Sequence, residues 1–105
     1  MCGIVGLINL NSVAVAPPIL KRMTDEIAHR GPDGEGHWIE GNVGLGHRRL
    51  AILDLSPAGH QPMVSADHRF VLTYNGEIYN FRELRAELQA IGYWFRSKTD
   101  SEVVL

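Results

Sequence analysis

The chain has 105 residues, which is the length of one domain at most. It carries 10 Lys and Arg against 12 Asp and Glu, and this formal net charge of −2 excludes a basic module that binds nucleic acid or a membrane surface. A single cysteine excludes an internal disulfide framework, and no apolar segment reaches the roughly 20 residues of a membrane-spanning helix. We therefore expect a cytoplasmic protein with a reduced thiol.

The first third of the sequence predicts a strand followed by a helix. Residues Gly3–Leu10 are apolar and rich in β-branched side chains, which is typical of a buried strand. Pro17 and Pro18 suit the first turn of a helix. Apolar residues then recur every four positions and predict a buried stripe of Ile19, Met23 and Ile27, with Leu20 beside them.

The middle third predicts a hairpin between two loops. Turn-forming residues at His29–Gly34 end the helix. Strands are expected at about His37–Glu40 and Val43–Leu50, because Gly41–Asn42 between them suits a hairpin turn. Residues Asp54–Met63 contain two prolines, a serine and a glycine, so they predict a loop.

The last third predicts a strand and a second helix. The strand is expected at Arg69–Tyr74. The helix is expected to begin after Asn80, whose side chain would cap it together with Glu83, and to end at Gly92. Its apolar stripe comprises Phe81, Leu84, Leu88 and Ile91.

A short strand at Tyr93–Arg96 and a further helix capped by Thr99 or Asp100 complete the predicted elements. Helices interleave with strands, yet the turns between strands are short. This pattern favours a mixed α+β sheet over a doubly wound parallel one.

Cys2 is the most distinctive chemical feature of the sequence. An initiator methionine is normally removed when the next residue is small, and removal of Met1 would leave Cys2 with a thiol and a free α-amine. A nucleophile that carries its own base is the N-terminal-nucleophile arrangement. On position alone, an incidental cysteine is the alternative interpretation.

The segments around Cys2 and further along the chain carry a family resemblance. Met1–Gly6 resembles the start of class II glutamine amidotransferases, which release ammonia from glutamine with an N-terminal cysteine. Five ordered motifs narrow this resemblance to the glutaminase domain of glutamine-hydrolysing asparagine synthetases: His29–Asp33, His47–Asp54, Gly59–Met63, Asn75–Asn80 and Thr99–Glu102. The resemblance covers residues 1–105 and implies the N-terminal part of this domain, without the synthetase domain.

The resemblance implies an α+β N-terminal-nucleophile hydrolase fold, in which two antiparallel sheets pack face to face between helical layers as an αββα sandwich. This chain would supply part of that sandwich. No cofactor is implied for the chain itself, since ATP and Mg²⁺ are expected only in the missing C-terminal synthetase domain. Glutamine and that domain are the implied partners, nucleic acid and membrane are not, and a homodimer is left open.

The resemblance also implies the site and its chemistry, which is hydrolysis of glutamine to glutamate and ammonia. Cys2 is implied as the nucleophile, and Asn75 with Gly76 as the donors to the oxyanion. Arg49 is assigned to the α-carboxylate of glutamine and Asp100 to its α-ammonium. The glutamine site is completed by Ile52, Leu53, Asn75, Gly76 and Glu77. The full-length enzyme would use the ammonia for ATP-dependent synthesis of asparagine from aspartate.

Structural interpretations stay open for several of these residues. Asn75–Gly76 after a strand is also a hairpin signal, and Asp100 is also a common helix cap. Strand alternation places Arg48 and Arg49 on opposite faces, with Arg48 interpreted as a solvated surface charge. Arg30–Asp33 suits a rigid structural turn more than a chemical role. The five histidines lack the spacing of zinc ligands, so no metal site is predicted.

Two other functions remain open from the sequence. One is the glutaminase part of a related amidotransferase with another acceptor, such as a surface polysaccharide, a peptide or a lactam ring. The other is a non-catalytic fragment. A redox thiol module is a more distant third, because such a module usually shows a second cysteine.

Overall fold

The computed structural model describes residues 1–105, in which five strands and two α-helices are joined by loops and three short 3-10 turns. The strands are β1 (Gly3–Ile8), β2 (Gly34–Glu40), β3 (Val43–Arg49), β4 (Met63–Val64) and β5 (Val71–Leu72). The helices are α1 (Pro17–Glu26) and α2 (Phe81–Ala90), and the 3-10 turns are Ala28–Arg30, Pro57–Gly59 and Ser101–Val103. Neither α-helix combines the length and the apolar character needed to cross a membrane.

Strands β1, β3 and β2 form an antiparallel sheet in that order, and β4 pairs with β5 as a separate two-stranded ribbon. The β2–β3 hairpin turns at Gly41–Asn42, as the sequence predicts, although β2 begins at Gly34 instead of His37. Strand β5 is shorter than the predicted Arg69–Tyr74. The α+β class is confirmed, and these elements are compatible with part of an αββα sandwich.

Helix α1 packs on one face of the sheet, and the predicted stripe is confirmed at Leu20 and, as half-buried residues, at Met23 and Ile27. Leu20 and Thr24 are fully buried, whereas Ile19 is exposed. Leu20 lies against Gly44 of β3, and Thr24 lies against Gly46. These two glycines leave a groove without side chains, so the helix places Leu20 and Thr24 deepest in the contact, and Ile19 is the one member of the predicted stripe that is exposed.

Arg48 belongs to this helix-covered face and is not a solvated surface charge. Its side chain is 13% exposed and forms ion pairs with Asp25 of α1, at 2.5 Å, and with Glu35 of β2, at 2.7 Å. Its Nε also donates to the Thr24 carbonyl. The predicted alternation is confirmed, because Arg49 points to the opposite face. The interpretation of Arg48 as a surface residue is wrong, since α1 covers it.

Two predictions for the second half of the chain are wrong. Asn80 directly precedes α2, as predicted, but its side chain makes no capping hydrogen bond. The predicted apolar stripe is half-buried at Phe81, Leu84 and Leu88, whereas Ile91 is exposed. Tyr93–Arg96 is not a strand, because the backbone N–H groups of Arg96 and Ser97 donate to the Glu102 carboxylate instead of to a neighbouring strand. Gly92 does end the helix with a positive φ of 104°, as predicted.

His47 on β3 makes folding stability depend on pH. It is 1% exposed, its Nδ1 contacts Thr73 Oγ1 at 2.9 Å, and its Nε2 has no partner. Burial, with a smaller contribution from the nearby His60 and Arg49, lowers the pKa of His47 from 6.5 to about 4. The unfolded chain therefore binds a proton between pH 6.5 and 4 that the folded chain does not bind.

We expect the free energy of unfolding to include the full contribution of neutral His47 above pH 6.5 and to fall by about 3 kcal/mol as the pH drops to about 4. Urea unfolding at pH 7.0, 5.5 and 4.5 measures it. His47→Gln should lose the slope over this range, whereas the exposed His29→Gln should keep it. Equal slopes for wild type and His47→Gln would contradict the prediction.

Candidate active site

A cavity of about 630 Å³ opens at the end of the sheet where β1 begins and β3 ends. This volume is within the range of small-molecule sites in proteins. The residues predicted from the sequence all line it: Cys2, Arg49, Ile52, Leu53, Asn75, Gly76, Glu77 and Asp100. The structure therefore brings together residues as far apart in the sequence as Cys2 and Asp100.

Cys2 lies at the cavity wall because β1 starts at the next residue and pairs Gly3 with Arg48 of β3. Its Sγ accepts a hydrogen bond from the Leu50 N–H at 3.3 Å and contacts the Leu50 carbonyl oxygen at 3.6 Å. Arg30 Nε donates to the Cys2 carbonyl at 3.2 Å. The thiol and the backbone of Cys2 are thus both fixed relative to the sheet.

The turn at Arg30–Asp33 organises the same corner of the molecule. Besides the Arg30 bond to Cys2, the Asp33 N–H donates to the Arg49 carbonyl at 2.9 Å. The Asp33 carboxylate accepts a hydrogen bond from the Ala51 N–H at 3.0 Å. These contacts are the ones that a structural turn would make. They hold the backbone on both sides of Leu50, the residue whose N–H donates to Cys2 Sγ.

Arg49 projects from the last position of β3 into a loop on the cavity side. Its guanidinium donates to the carbonyls of Ser56, at 2.7 Å, and of Asp54. It also lies against Gly59, where a Cβ would overlap the guanidinium, so this close approach requires glycine. A guanidinium has five N–H donors. Two terminal nitrogens of Arg49 hold it in place, and its remaining N–H groups form no hydrogen bond within the chain.

The Asp54 carboxylate ties the Arg49 loop to the segment before Asp100. It accepts hydrogen bonds from the N–H groups of Ser56 and Lys98, each at 2.8 Å. Hydrogen bonds from Ser56 and Lys98, with the charge of Arg49 nearby, lower the pKa of Asp54 to about 2. Asp54 is therefore ionised at neutral pH. Its two hydrogen bonds hold the loop that contacts Arg49 close to the segment that leads to Asp100.

Asn75–Gly76 follows β5 but does not turn a hairpin, so that alternative is wrong. The next regular element is α2, and no strand returns from this turn. The Tyr74 phenol lies against Gly76, and the Tyr74 N–H donates to Gln61 Oε1 at 2.6 Å. Asn75 and Gly76 both line the cavity.

Asp100 is 8% exposed, lines the cavity and forms no ion pair. Its Oδ2 accepts the Ile78 N–H at 2.8 Å, and its side chain does not cap the 3-10 turn at Ser101–Val103. The predicted helix cap is therefore wrong, because Asp100 bonds to a segment 22 residues earlier in the chain. A buried carboxylate is costly unless it is paired, so this position favours a cationic ligand group.

Arg85 on α2 supports the segment that carries Asp100. Its two terminal nitrogens donate to the carbonyls of Ser97, at 2.8 Å, and Thr99, at 2.9 Å, and its guanidinium stacks 4.5 Å from the Phe95 ring. Sequence reasoning gave Arg85 no role. No local pattern reveals it, since its partners lie 12 and 14 residues away.

Gln61, Tyr74 and Ser101 also line the cavity, and the sequence gave them no role; Thr99, predicted only as a possible helix cap, lines it too. Gln61 stands in the quoted motif Gly59–Met63, which is the one available signal for it. No group of three or more His, Cys, Asp or Glu side chains is arranged to hold a metal ion.

Comparison with known proteins identifies the family to which the chain belongs. Residues 1–105 match the family model described as a glutamine amidotransferase domain, so the chain belongs to that family. The individual relatives indicate a narrower group within this family. Glutamine-hydrolyzing asparagine synthetase 1 of Bacillus subtilis (strain 168) is 44% identical over 108 residues, which cover 100% of this chain and 17% of that protein.

A probable glutamine-hydrolyzing asparagine synthetase of Schizosaccharomyces pombe is 40% identical over 106 residues, with 100% of this chain and 19% of that protein covered. Amidase chry2 of Gibberella zeae is 43% identical over 88 residues, with 82% of this chain and 13% of that protein covered. The chain thus spans less than a fifth of the length of these relatives. The resemblance to the N-terminal portion of asparagine synthetases is confirmed.

Proposed function

We propose that this chain hydrolyses glutamine to glutamate and ammonia, with Cys2 as the nucleophile. The observation that carries the proposal is one cavity lined by a thiol, a guanidinium, a buried carboxylate and an Asn-Gly turn. A free amino acid presents a carboxylate and an ammonium. Arg49 and Asp100 offer the opposite charges to these two groups, and such a site rejects analogues that lack either of them.

The reaction begins after Met1 is removed, when the α-amine of Cys2 accepts the thiol proton. The thiolate Sγ attacks the side-chain amide carbon of glutamine, and the carbonyl electron pair moves to the oxygen. The Asn75 side-chain amide and the Gly76 N–H donate to this oxyanion. Collapse of the intermediate breaks the C–N bond, and the leaving nitrogen takes the proton from the Cys2 ammonium and departs as ammonia. Water then hydrolyses the thioester, which releases glutamate and restores the thiol.

Three further residues complete substrate recognition in this proposal. Glu77 follows the Asn75–Gly76 turn directly and lines the same cavity. Ile52 and Leu53 line the cavity and are exposed, and their backbone groups are assigned to the amino-acid end of glutamine. These residues bind and orient the substrate and take no proton during the reaction.

We expect Asp100→Asn to raise KM for glutamine by roughly 10- to 100-fold while kcat changes much less. The amide oxygen keeps the acceptor for the Ile78 N–H, but the charge that attracts the α-ammonium is lost, and a charged hydrogen bond contributes about 1.5–3 kcal/mol. Steady-state assays of glutamate release measure this effect. Asp67→Asn, in the exposed turn Ser65–Arg69, is the matched control. A KM equal to that of the control would contradict the assignment.

In the longer protein, the ammonia would be delivered to an activated aspartate to form asparagine. The similarity to asparagine synthetases supports this acceptor. ATP and Mg²⁺ would bind outside residues 1–105. The match to Amidase chry2 keeps a different acceptor as the competing outcome. Supplying ammonia, ATP and candidate acceptors to the longer protein decides between them.

The proposal is tested by intact mass measurement before and after incubation with an electrophilic glutamine analogue. We expect loss of Met1 and a single adduct on Cys2 that excess glutamine prevents. Glutamate release by the same preparation should stop when the adduct is complete. A processed chain that forms no adduct, or one that is modified elsewhere, would contradict the assignment of Cys2.

A further inference from the structure

We propose that Gln61 is a positioning residue that fixes the oxyanion donors relative to the ammonium-binding carboxylate. The inference rests on the proposed hydrolysis of glutamine. Gln61 is 7% exposed, and its side-chain amide uses both of its ends. Oε1 accepts the Tyr74 N–H at 2.6 Å, and Nε2 donates to Ser101 Oγ at 3.3 Å. We call these three residues and their two hydrogen bonds the Gln61 brace.

The brace completes the support of the five-residue segment 74–78. Gln61 holds the N–H at the start of the segment, and Asp100 holds the Ile78 N–H at its end, at 2.8 Å. Asn75, Gly76 and Glu77 lie between these two anchors. Because Ser101 directly follows Asp100, the brace also connects the two anchors to each other. The segment that supplies the oxyanion donors is therefore tied at both ends to the segment that binds the α-ammonium.

The chemistry of the glutamine side chain suits this position. An amide offers an acceptor and a donor at once, whereas a carboxylate lacks the donor and a thioether offers at most a weak acceptor. The Gln61 backbone is itself fixed, because its carbonyl lies against Gly36 of β2, where a Cβ would overlap it. The brace thus fixes the Asn75–Gly76 turn relative to the three-stranded sheet.

Loss of the brace should affect kcat more than KM. Oxyanion donors act only at the correct distance, and a displacement of about 1 Å costs about 10²-fold in rate. The ammonium site keeps two supports without Gln61: the Asp100 bond to Ile78 and the Arg85 bond to the Thr99 carbonyl. We therefore expect Gln61→Met to lower kcat by roughly 10- to 100-fold, with KM changed by less than about threefold.

The experiment compares glutamate release by the processed wild type, Gln61→Met and Gln89→Met. Gln89 is an exposed glutamine on α2 outside the cavity, so its replacement controls for the loss of a glutamine side chain. Ser101→Ala is a second variant, which breaks the far end of the brace and leaves Gln61 in place. It should lower kcat in the same direction by a smaller factor, and it decides the question if Gln61→Met does not fold.

A double-mutant cycle separates positioning from a general structural role. In an Asn75→Ala background one of the two braced donors is already absent, so adding Gln61→Met should lower kcat by a smaller factor than it does in the wild type, through displacement of the Gly76 N–H alone. Equal losses in both backgrounds would overturn the inference, and so would a wild-type kcat in Gln61→Met or, where that variant does not fold, in Ser101→Ala. An inactive processed wild type, or an active Cys2→Ala variant, would instead contradict the proposed function, and the inference would fall with it.

Discussion

Cys2→Ala is expected to lower kcat for glutamine hydrolysis on the order of 10⁴- to 10⁶-fold, the largest effect of any single replacement in this chain. The reason is that no other thiol exists in the sequence, so no cavity residue can replace the proposed nucleophile. A sensitive assay of glutamate release under single-turnover and steady-state conditions measures the loss.

The same variant should still bind glutamine, because Arg49 and Asp100 do not depend on the thiol for their positions. Calorimetric titration of Cys2→Ala with glutamine provides this control. In the longer protein, synthesis from added ammonia should persist in Cys2→Ala, since only the supply of ammonia from glutamine is removed. Hydrolysis that survives in purified Cys2→Ala would contradict the nucleophile assignment.

Asn75→Ala is expected to lower kcat by roughly 10²- to 10³-fold with a small change in KM. One of two oxyanion donors is removed, and such a donor acts on the charge that develops in the transition state more than on the bound substrate. The Gly76 N–H remains and accounts for the residual activity. Steady-state kinetics of the processed chain provide the measurement.

Asn80→Ala is the matched control for this prediction. Asn80 belongs to the same motif, but its side chain makes no capping hydrogen bond and does not line the cavity. Its replacement should leave kcat near that of the wild type. If Asn75→Ala raised KM with kcat unchanged, Asn75 would bind the ground state and would not act as an oxyanion donor.

Local sequence patterns predicted those parts of the fold whose causes are local. Apolar β-branched residues at Gly3–Leu10 and the turn at Gly41–Asn42 gave β1 and the β2–β3 hairpin, and the proline pair gave the start of α1. Site residues could be assigned through the family resemblance, and all of them line one cavity. Spacing alone would not have brought Cys2 and Asp100 together.

The errors occur where a distant partner determines the local structure. Asp100 has the sequence context of a cap, but its carboxylate bonds to the Ile78 backbone. Tyr93–Arg96 has the composition of a strand, but Glu102 takes the N–H of Arg96. Gln61 had no predicted role because its two partners lie 13 and 40 residues away. The motif Gly59–Met63 marks Gln61 as a candidate, but no local pattern identifies its partners or those of Asp100 and Arg96.

The alternation of Arg48 and Arg49 along β3 has a consequence for how the chain tolerates change. The two neighbouring arginines have different roles. Arg48 forms ion pairs with Asp25 and Glu35 beneath α1, and Arg49 lines the cavity. Only the odd or even position in the strand distinguishes them. A one-residue insertion within β3 would exchange the two arginines and leave the composition almost unchanged, whereas a two-residue insertion would preserve which face each one occupies. The site therefore depends on which face of β3 each arginine occupies as well as on the identity of the residues.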